Sequence, residues 1–223
     1  LGPERACAQG WISPRAMRNG IIVTVLFACL IGSALLFYAG WELIIVGLLC
    51  VLFAFLHTTG PYPLSYNGWG GVLVIVFFGF VPVGGTYYVQ ALTWTSDTTV
   101  ASLICGLLID TLLVVNNYRD READARSGKR TVIVRFGEKF GRYLYLMLGV
   151  AASLLCFWFF FEGHLFAALL PLLYLIPHVL TWRRMVQTHS GKKLNSILGE
   201  TTQRVQRGCQ SLRPCRLQRV NLD

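Results

Sequence analysis

Six long apolar runs, separated by polar or charged connectors, constrain this chain more than any motif within it. They cover residues 19–41, 43–56, 71–90, 98–115, 143–161 and 165–182. An α-helix rises 1.5 Å per residue and a bilayer core is about 30 Å thick, so about 20 apolar residues cross it. In hydrocarbon every backbone polar group needs an internal partner, and runs of this length meet that need as helices. The expected fold class is therefore all-α, a polytopic membrane helix bundle with six transmembrane helices. The run at 43–56 is short and needs its flanks, Trp41 included, or local thinning of the bilayer. Composition agrees, because only 14% of residues are charged where soluble domains carry roughly 25%.

A net charge of +9 raises the question of nucleic acid, and the placement of the charge answers it. All 20 Lys and Arg lie in residues 1–18, 119–142 and 183–219. Apolar spans separate these clusters, so they build no continuous basic groove, and no nucleic-acid partner is expected. If 1–18 lies inside, six crossings place 57–70, 116–142 and everything after 182 on the same side. Every Lys and Arg then falls there, as the positive-inside rule requires, while Glu42, Asp97 and Glu162 fall opposite. No cleavable signal peptide is read at the start, which leaves targeting to the first span. The seven cysteines show no C-x-x-C and no His at metal spacing, and four sit in apolar runs as small hydrophobes.

The chemistry is concentrated in residues 106–137, where the fourth run ends in a charge-dense segment. On a helix Asn116, Asp120 and Asp124 are spaced i, i+4, i+8 and share one face. Two carboxylates one turn apart repel unless a cation sits between them, and hard oxygen donors suit Mg²⁺ with its waters and a phosphate. Arg126, Lys129 and Arg130 follow, with Gly128 allowing a tight turn, so cations can close over a phosphorylated ligand. The alternative is a solvated, orienting loop between two helices. The adjacent pair Asn116 and Asn117 at the end of an apolar span favours the metal reading, because polar groups there are costly and tend to be functional.

The same residues carry a resemblance. N-N-x-R-D-x-x-x-D, then G-K-R-T and V-R-F-G, resembles the second Asp-rich motif of the UbiA superfamily of intramembrane aromatic prenyltransferases. P-Y-P-L at residues 61–64 resembles the branch acting on 1,4-dihydroxy-2-naphthoate in menaquinone synthesis, and K-K-L-N-S-I-L-G-E-T at 192–201 resembles the family before its last membrane helix. The resemblance implies transfer of a polyprenyl group from polyprenyl diphosphate to that acceptor with decarboxylation, giving demethylmenaquinone. It implies Mg²⁺ held by Asp120 and Asp124, substrate contacts from Asn116, Asn117, Lys129 and Arg130, and a place in the bacterial inner membrane with the motif on the cytoplasmic side. A family member is expected to have about nine helices and a first motif of the N-D-x-x-D type. That motif would precede residue 1, so the chain is expected to be truncated at both ends and its own activity is uncertain. Other acceptors, 4-hydroxybenzoate or homogentisate, a transporter fragment and an inactive piece remain the alternatives.

Three further residues enter on the resemblance and on depth. Tyr62 and Tyr66 lie in a loop where the superfamily often places a Tyr followed by a Lys near the diphosphate; this loop has no Lys, and interfacial anchoring is the other role. Asp110 lies inside the fourth run, about 15 Å deeper than Asp120 along a helix. It is either hydrogen-bonded between helices or in contact with the aromatic substrate. Residues 1–202 are read as a partial prenyltransferase membrane domain, with His178 as an interior or interfacial histidine. Residues 203–223 are read as a basic, polar tail without apolar periodicity, disordered or lying on the membrane surface.

Overall fold

In the computed structural model, which describes residues 6–189, 191 and 193–211, seven main helices follow one another, and no strand occurs among the described residues. They are α1 (Pro14–Ser33), α2 (Glu42–Thr58), α3 (Gly70–Ala91), α4 (Ser96–Arg126), α5 (Val132–Leu155), α6 (Leu172–Thr188) and α7 (Leu194–Ser211). Local sequence sets their starts. Ser13, Thr95 and Thr131 each cap a helix with a side-chain oxygen that accepts from the N–H three residues on, and Pro14 follows its cap where no N–H is needed.

Five segments are long and apolar enough to cross a membrane: Pro14–Ala39, Gly70–Ala91, Ser96–Arg126, Val132–Phe161 and Leu165–Thr188. The remaining apolar run, 43–56, forms α2, whose 17 residues span only about 25 Å. The expected six spans thus become five plus one shorter apolar helix, and the chain is an integral membrane protein.

α4 is the axis of the bundle. α3, α5 and α7 pack along it, and α6 closes the far side against α5 and α7. Two clusters fill the interior, one around Ile104, Leu108, Phe159 and Tyr174, the other around Val115, Tyr118, Ile133, Tyr145, Met185 and Leu194. α1 and α2 bury no residue, and their Leu, Ile and Phe point outward, which costs nothing where the solvent is lipid.

The α3–α4 crossing is closest at glycine. A Cβ on Gly79 would lie 2.5 Å from the Ser102 carbonyl oxygen and 2.9 Å from the Gly106 Cα. Between Ile75 and Gly84 the helix widens to π geometry around Pro82. Gly79→Ala should lower thermal stability in detergent by about 1–3 kcal/mol through overpacking; an unchanged melting temperature would show that the crossing has slack.

The apolar run 165–182 is broken at Pro171 into a short turn, Leu165–Leu169, and α6. Of the two places expected for His178, interior or interfacial, it takes the interior one. It is stacked between Tyr145 and Tyr174 at 4.5 and 5.2 Å. Its Nε2 faces the Tyr145 carbonyl at 3.1 Å and therefore donates, leaving Nδ1 to accept from the Tyr174 hydroxyl at 3.1 Å.

The reading of residues from 203 onward as lacking apolar periodicity does not hold for 203–211, which continue α7. Leu194, Ile197, Thr201, Val205 and Gly208 are buried at helical spacing, and small residues at two of these positions masked the stripe. Residues 212–223 of that tail lie outside the described residues.

Candidate functional site

α4 does not stop where its apolar run ends. It continues unbroken to Arg126, so Asn116 to Asp124 occupy its last turns. The chain then reverses sharply, with the Ser127 N–H on the Ala123 carbonyl at 3.0 Å, Gly128 at φ +74° and the Lys129 N–H on the Asp124 carbonyl at 2.9 Å. Glycine is suited to that positive φ, and the turn brings the Lys129 side chain back over the helix end. Only residues 127–131 separate α4 from α5, so the loop expected over 116–142 is mostly helix.

The loop between α2 and α3 meets this turn. The Arg130 N–H donates to the Tyr66 carbonyl at 2.7 Å, which puts both loops at one end of the bundle, as the charge distribution requires. α5 is tied down beside them. Gly137, at φ +88°, breaks its first turn, and beyond it Glu138 accepts from the Tyr118 hydroxyl at 2.7 Å and pairs with Arg142. The Arg121 guanidinium lies 4.6 Å over the Tyr118 ring.

Between these elements lies a cavity of about 740 Å³, within the range of small-molecule sites. Asn116, Asn117, Asp124, Ser127, Lys129 and Tyr66 line one end, and Asp110 lines it deeper along α4. Leu113, Val72, Ile75, Phe140 and Leu144 supply apolar wall. Asp110 and Asp124 are 14 residues apart on one helix, so the cavity runs about 20 Å along it. The two Lys129 Nζ contacts to Asp124 are both 3.3 Å.

Six of the nine residues singled out in the sequence therefore meet in one cavity: Asn116, Asn117, Asp124, Lys129, Tyr66 and Asp110. Three do not line it. Tyr62 is exposed. Arg130 is exposed and engages the loop by its backbone. Asp120 is gripped by Arg119, whose Nε and Nη2 donate to its two oxygens at 2.9 and 2.6 Å.

Arg119 itself went unassigned in the sequence although it stands inside N-N-x-R-D. It is buried, donates to Asn116 Oδ1 at 2.5 Å and reaches Asn195 Oδ1 on α7 at 3.0 Å. One guanidinium thus orients an asparagine of the cavity and fastens α4 to α7. The signal was present: an arginine that stays at the end of an apolar run needs acceptors nearby.

The first of the two expectations for Asp110, a hydrogen bond between helices, is not met. Its side chain is 5% exposed, Oδ1 has no hydrogen-bond partner among the described residues, and it faces Gly71, where a Cβ would lie 2.9 Å from Oδ2. The neighbouring position is glycine, so α3 offers no side chain to pair with it.

Among the described residues no group of three or more His, Cys, Asp or Glu side chains gathers to hold a metal ion. What the polar end of the cavity offers is one carboxylate, Asp124, beside two amides. That set suits a hard cation that takes the rest of its shell from waters and phosphate oxygens, as Mg²⁺ does, and it does not suit an all-protein cage.

Comparison with known proteins bears on which chemistry this is. The UbiA prenyltransferase family matches over residues 2–198. The 1,4-dihydroxy-2-naphthoate octaprenyltransferase of Escherichia coli (strain K12) is 36% identical over 162 residues, covering 70% of this chain and 52% of that protein. The enzyme of the same name from Haemophilus influenzae is 37% identical, covering 78% and 60%, and that of Mycobacterium leprae 38%, covering 69% and 52%. The chain spans about half the length of the curated relatives it matches. No solved structure matches it significantly.

Proposed function

Because the chain belongs to the UbiA prenyltransferase family, we propose that it serves transfer of a polyprenyl group from polyprenyl diphosphate to 1,4-dihydroxy-2-naphthoate, with loss of the carboxylate, giving demethylmenaquinone. The names borne by the relatives at 36–38% identity support the acceptor. The observation that carries the chemistry is the cavity that places Asp124 and Lys129 at the polar end of an apolar-walled channel.

Asp124, with the amides of Asn116 and Asn117 beside it, is assigned to Mg²⁺, which when bound neutralises charge growing on the departing diphosphate. Lys129 lies within reach of the same group and adds a fixed positive charge where the negative charge develops. The Asp124–Lys129 pair holds both side chains in place before substrate arrives, so little reorganisation is needed at the moment of reaction. Asp120 is assigned to Arg119. The walls formed by Val72, Ile75, Leu113, Phe140 and Leu144 exclude water from an allylic cation, which favours its capture by the electron-rich ring. The basic residues at this end of the bundle support a reaction on the cytoplasmic side of a bacterial inner membrane.

The test is an assay of the full-length protein in membranes with polyprenyl diphosphate and 1,4-dihydroxy-2-naphthoate, with and without Mg²⁺. Metal-dependent formation of the prenylated naphthoquinol is expected. Equal or better use of 4-hydroxybenzoate or homogentisate would overturn the acceptor assignment, and turnover undiminished by chelator would overturn the metal.

A further inference from the structure

Asp110 is a carboxylate in the wrong place for a protein that has no use for it. It sits in the membrane portion of α4, 5% exposed, with Oδ1 unpartnered among the described residues. A buried polar group without a hydrogen bond is destabilising, and a buried charge more so. The neighbouring elements do not relieve it: Gly71 on α3 presents no side chain, and Leu113 and Val114 beside it on α4 are apolar. Yet the carboxylate lines the cavity, at the end remote from Asp124 and Lys129. A group kept unpaired at that depth and open to a ligand-sized space is an acceptor waiting for a donor.

The part of the donor that reaches Asp110 has to be uncharged and apolar in its body, because the walls around it are, and it has to carry an O–H or N–H. We infer that Asp110 accepts a hydrogen bond from a ring hydroxyl of the aromatic acceptor and so positions the ring across the channel from the diphosphate. This rests on the reading of the cavity as a prenyl-transfer site, and it adds a specificity-determining contact to it. Electrostatics selects which hydroxyl. The acceptor carries its own carboxylate, and two like charges in a channel of low dielectric repel. The ring therefore enters with its carboxylate toward Lys129 and its far hydroxyl, the one on carbon 4, toward Asp110. That orientation turns the carboxylate-bearing edge of the ring toward the allylic carbon, the edge at which decarboxylative prenylation takes place.

Two measurements on the full-length protein test this. The first is kinetic: kcat/KM for 1,4-dihydroxy-2-naphthoate against 1-hydroxy-2-naphthoate, in wild type and in Asp110→Ala. Losing the 4-hydroxyl changes the reactivity of the ring in both proteins, so the ratio of the two ratios isolates the contact. Wild type should discriminate by about 10- to 100-fold more than the variant, the range for a hydrogen bond to a charged group, and KM for the polyprenyl diphosphate should not move. The second is thermal unfolding in detergent without substrate, for Asp110→Ala and Asp110→Asn. Removing an unpaired buried charge should leave the melting temperature unchanged or raise it. Equal discrimination in wild type and Asp110→Ala overturns the inference, as does a melting temperature that falls in both variants, since Asp110 is then structural. Wild-type protein that ignores the naphthoate but prenylates another phenol overturns the acceptor assignment alone. The same cycle then runs with that phenol and its deoxy analogue, and decides the role of Asp110.

Discussion

Asp124→Asn abolishes prenyl transfer by the full-length protein, with a fall in kcat of about 10²- to 10³-fold or more, while insertion and melting temperature stay near wild type. Asp124 is one of two carboxylates lining the cavity, and the other, Asp110, lies about 20 Å away along α4. The amide is the same size and keeps an oxygen, so packing is preserved. What disappears is the charge that attracts a divalent cation and holds Lys129 at 3.3 Å. Insertion is decided by the apolar runs and by the basic clusters, none of which this substitution touches. Turnover measured across a Mg²⁺ titration should show a rise in the metal concentration needed as well as a lower plateau. Near-normal turnover at the wild-type Mg²⁺ requirement would remove Asp124 from the metal.

How much of this was legible in the chain depends on what each residue had to satisfy. The helices were legible because hydrocarbon leaves the backbone few choices, and the limits of α3 and the apolar start of α4 fall within two residues of the runs that predicted them. The shared end of the loops at 57–70 and 127–131 followed from counting crossings between the basic clusters. α7 was hidden because its inner stripe uses Thr201 and Gly208 beside Leu194, Ile197 and Val205, and a search for large apolar residues passes over a stripe of that kind. At the site, spacing put Asn116, Asp120 and Asp124 on one face, and periodicity says no more than that. Which carboxylate faces the cavity is decided by a cation on the same helix, Arg119, and by an acceptor 76 residues away, Asn195. Contacts of that range leave no trace in local spacing. Asp110 was legible as a costly residue, but its lack of a partner depended on Gly71 standing across from it on α3.

Arg119→Ala should be the most destabilising single change in the polar part of the molecule, by about 3–5 kcal/mol. The guanidinium is 7% exposed and makes hydrogen bonds to Asp120, Asn116 and Asn195. Its removal takes a bidentate cation from the Asp120 carboxylate, whose side chain is only 23% exposed, and with it part of what offsets its desolvation. It also releases Asn195, so α7 loses a polar tie to α4 near the membrane surface. Arg119→Lys retains the charge but not the planar fork that reaches three side chains at once, and should lose about half as much. Thermal unfolding in detergent reads the stability, and the acceptor and donor KM values read the site. If Arg119 acts by holding Asn116 in the cavity, both variants lower kcat even at temperatures where they are fully folded. A variant that loses stability but keeps wild-type kcat when folded would confine Arg119 to fastening helices together. Asp120→Asn separates the remaining possibility: it should cost stability in proportion to the lost ion pair and leave the Mg²⁺ requirement where it was, because Asp120 faces Arg119. A shifted Mg²⁺ requirement in Asp120→Asn would return that carboxylate to the metal and require Arg119 to let go of it when substrate binds.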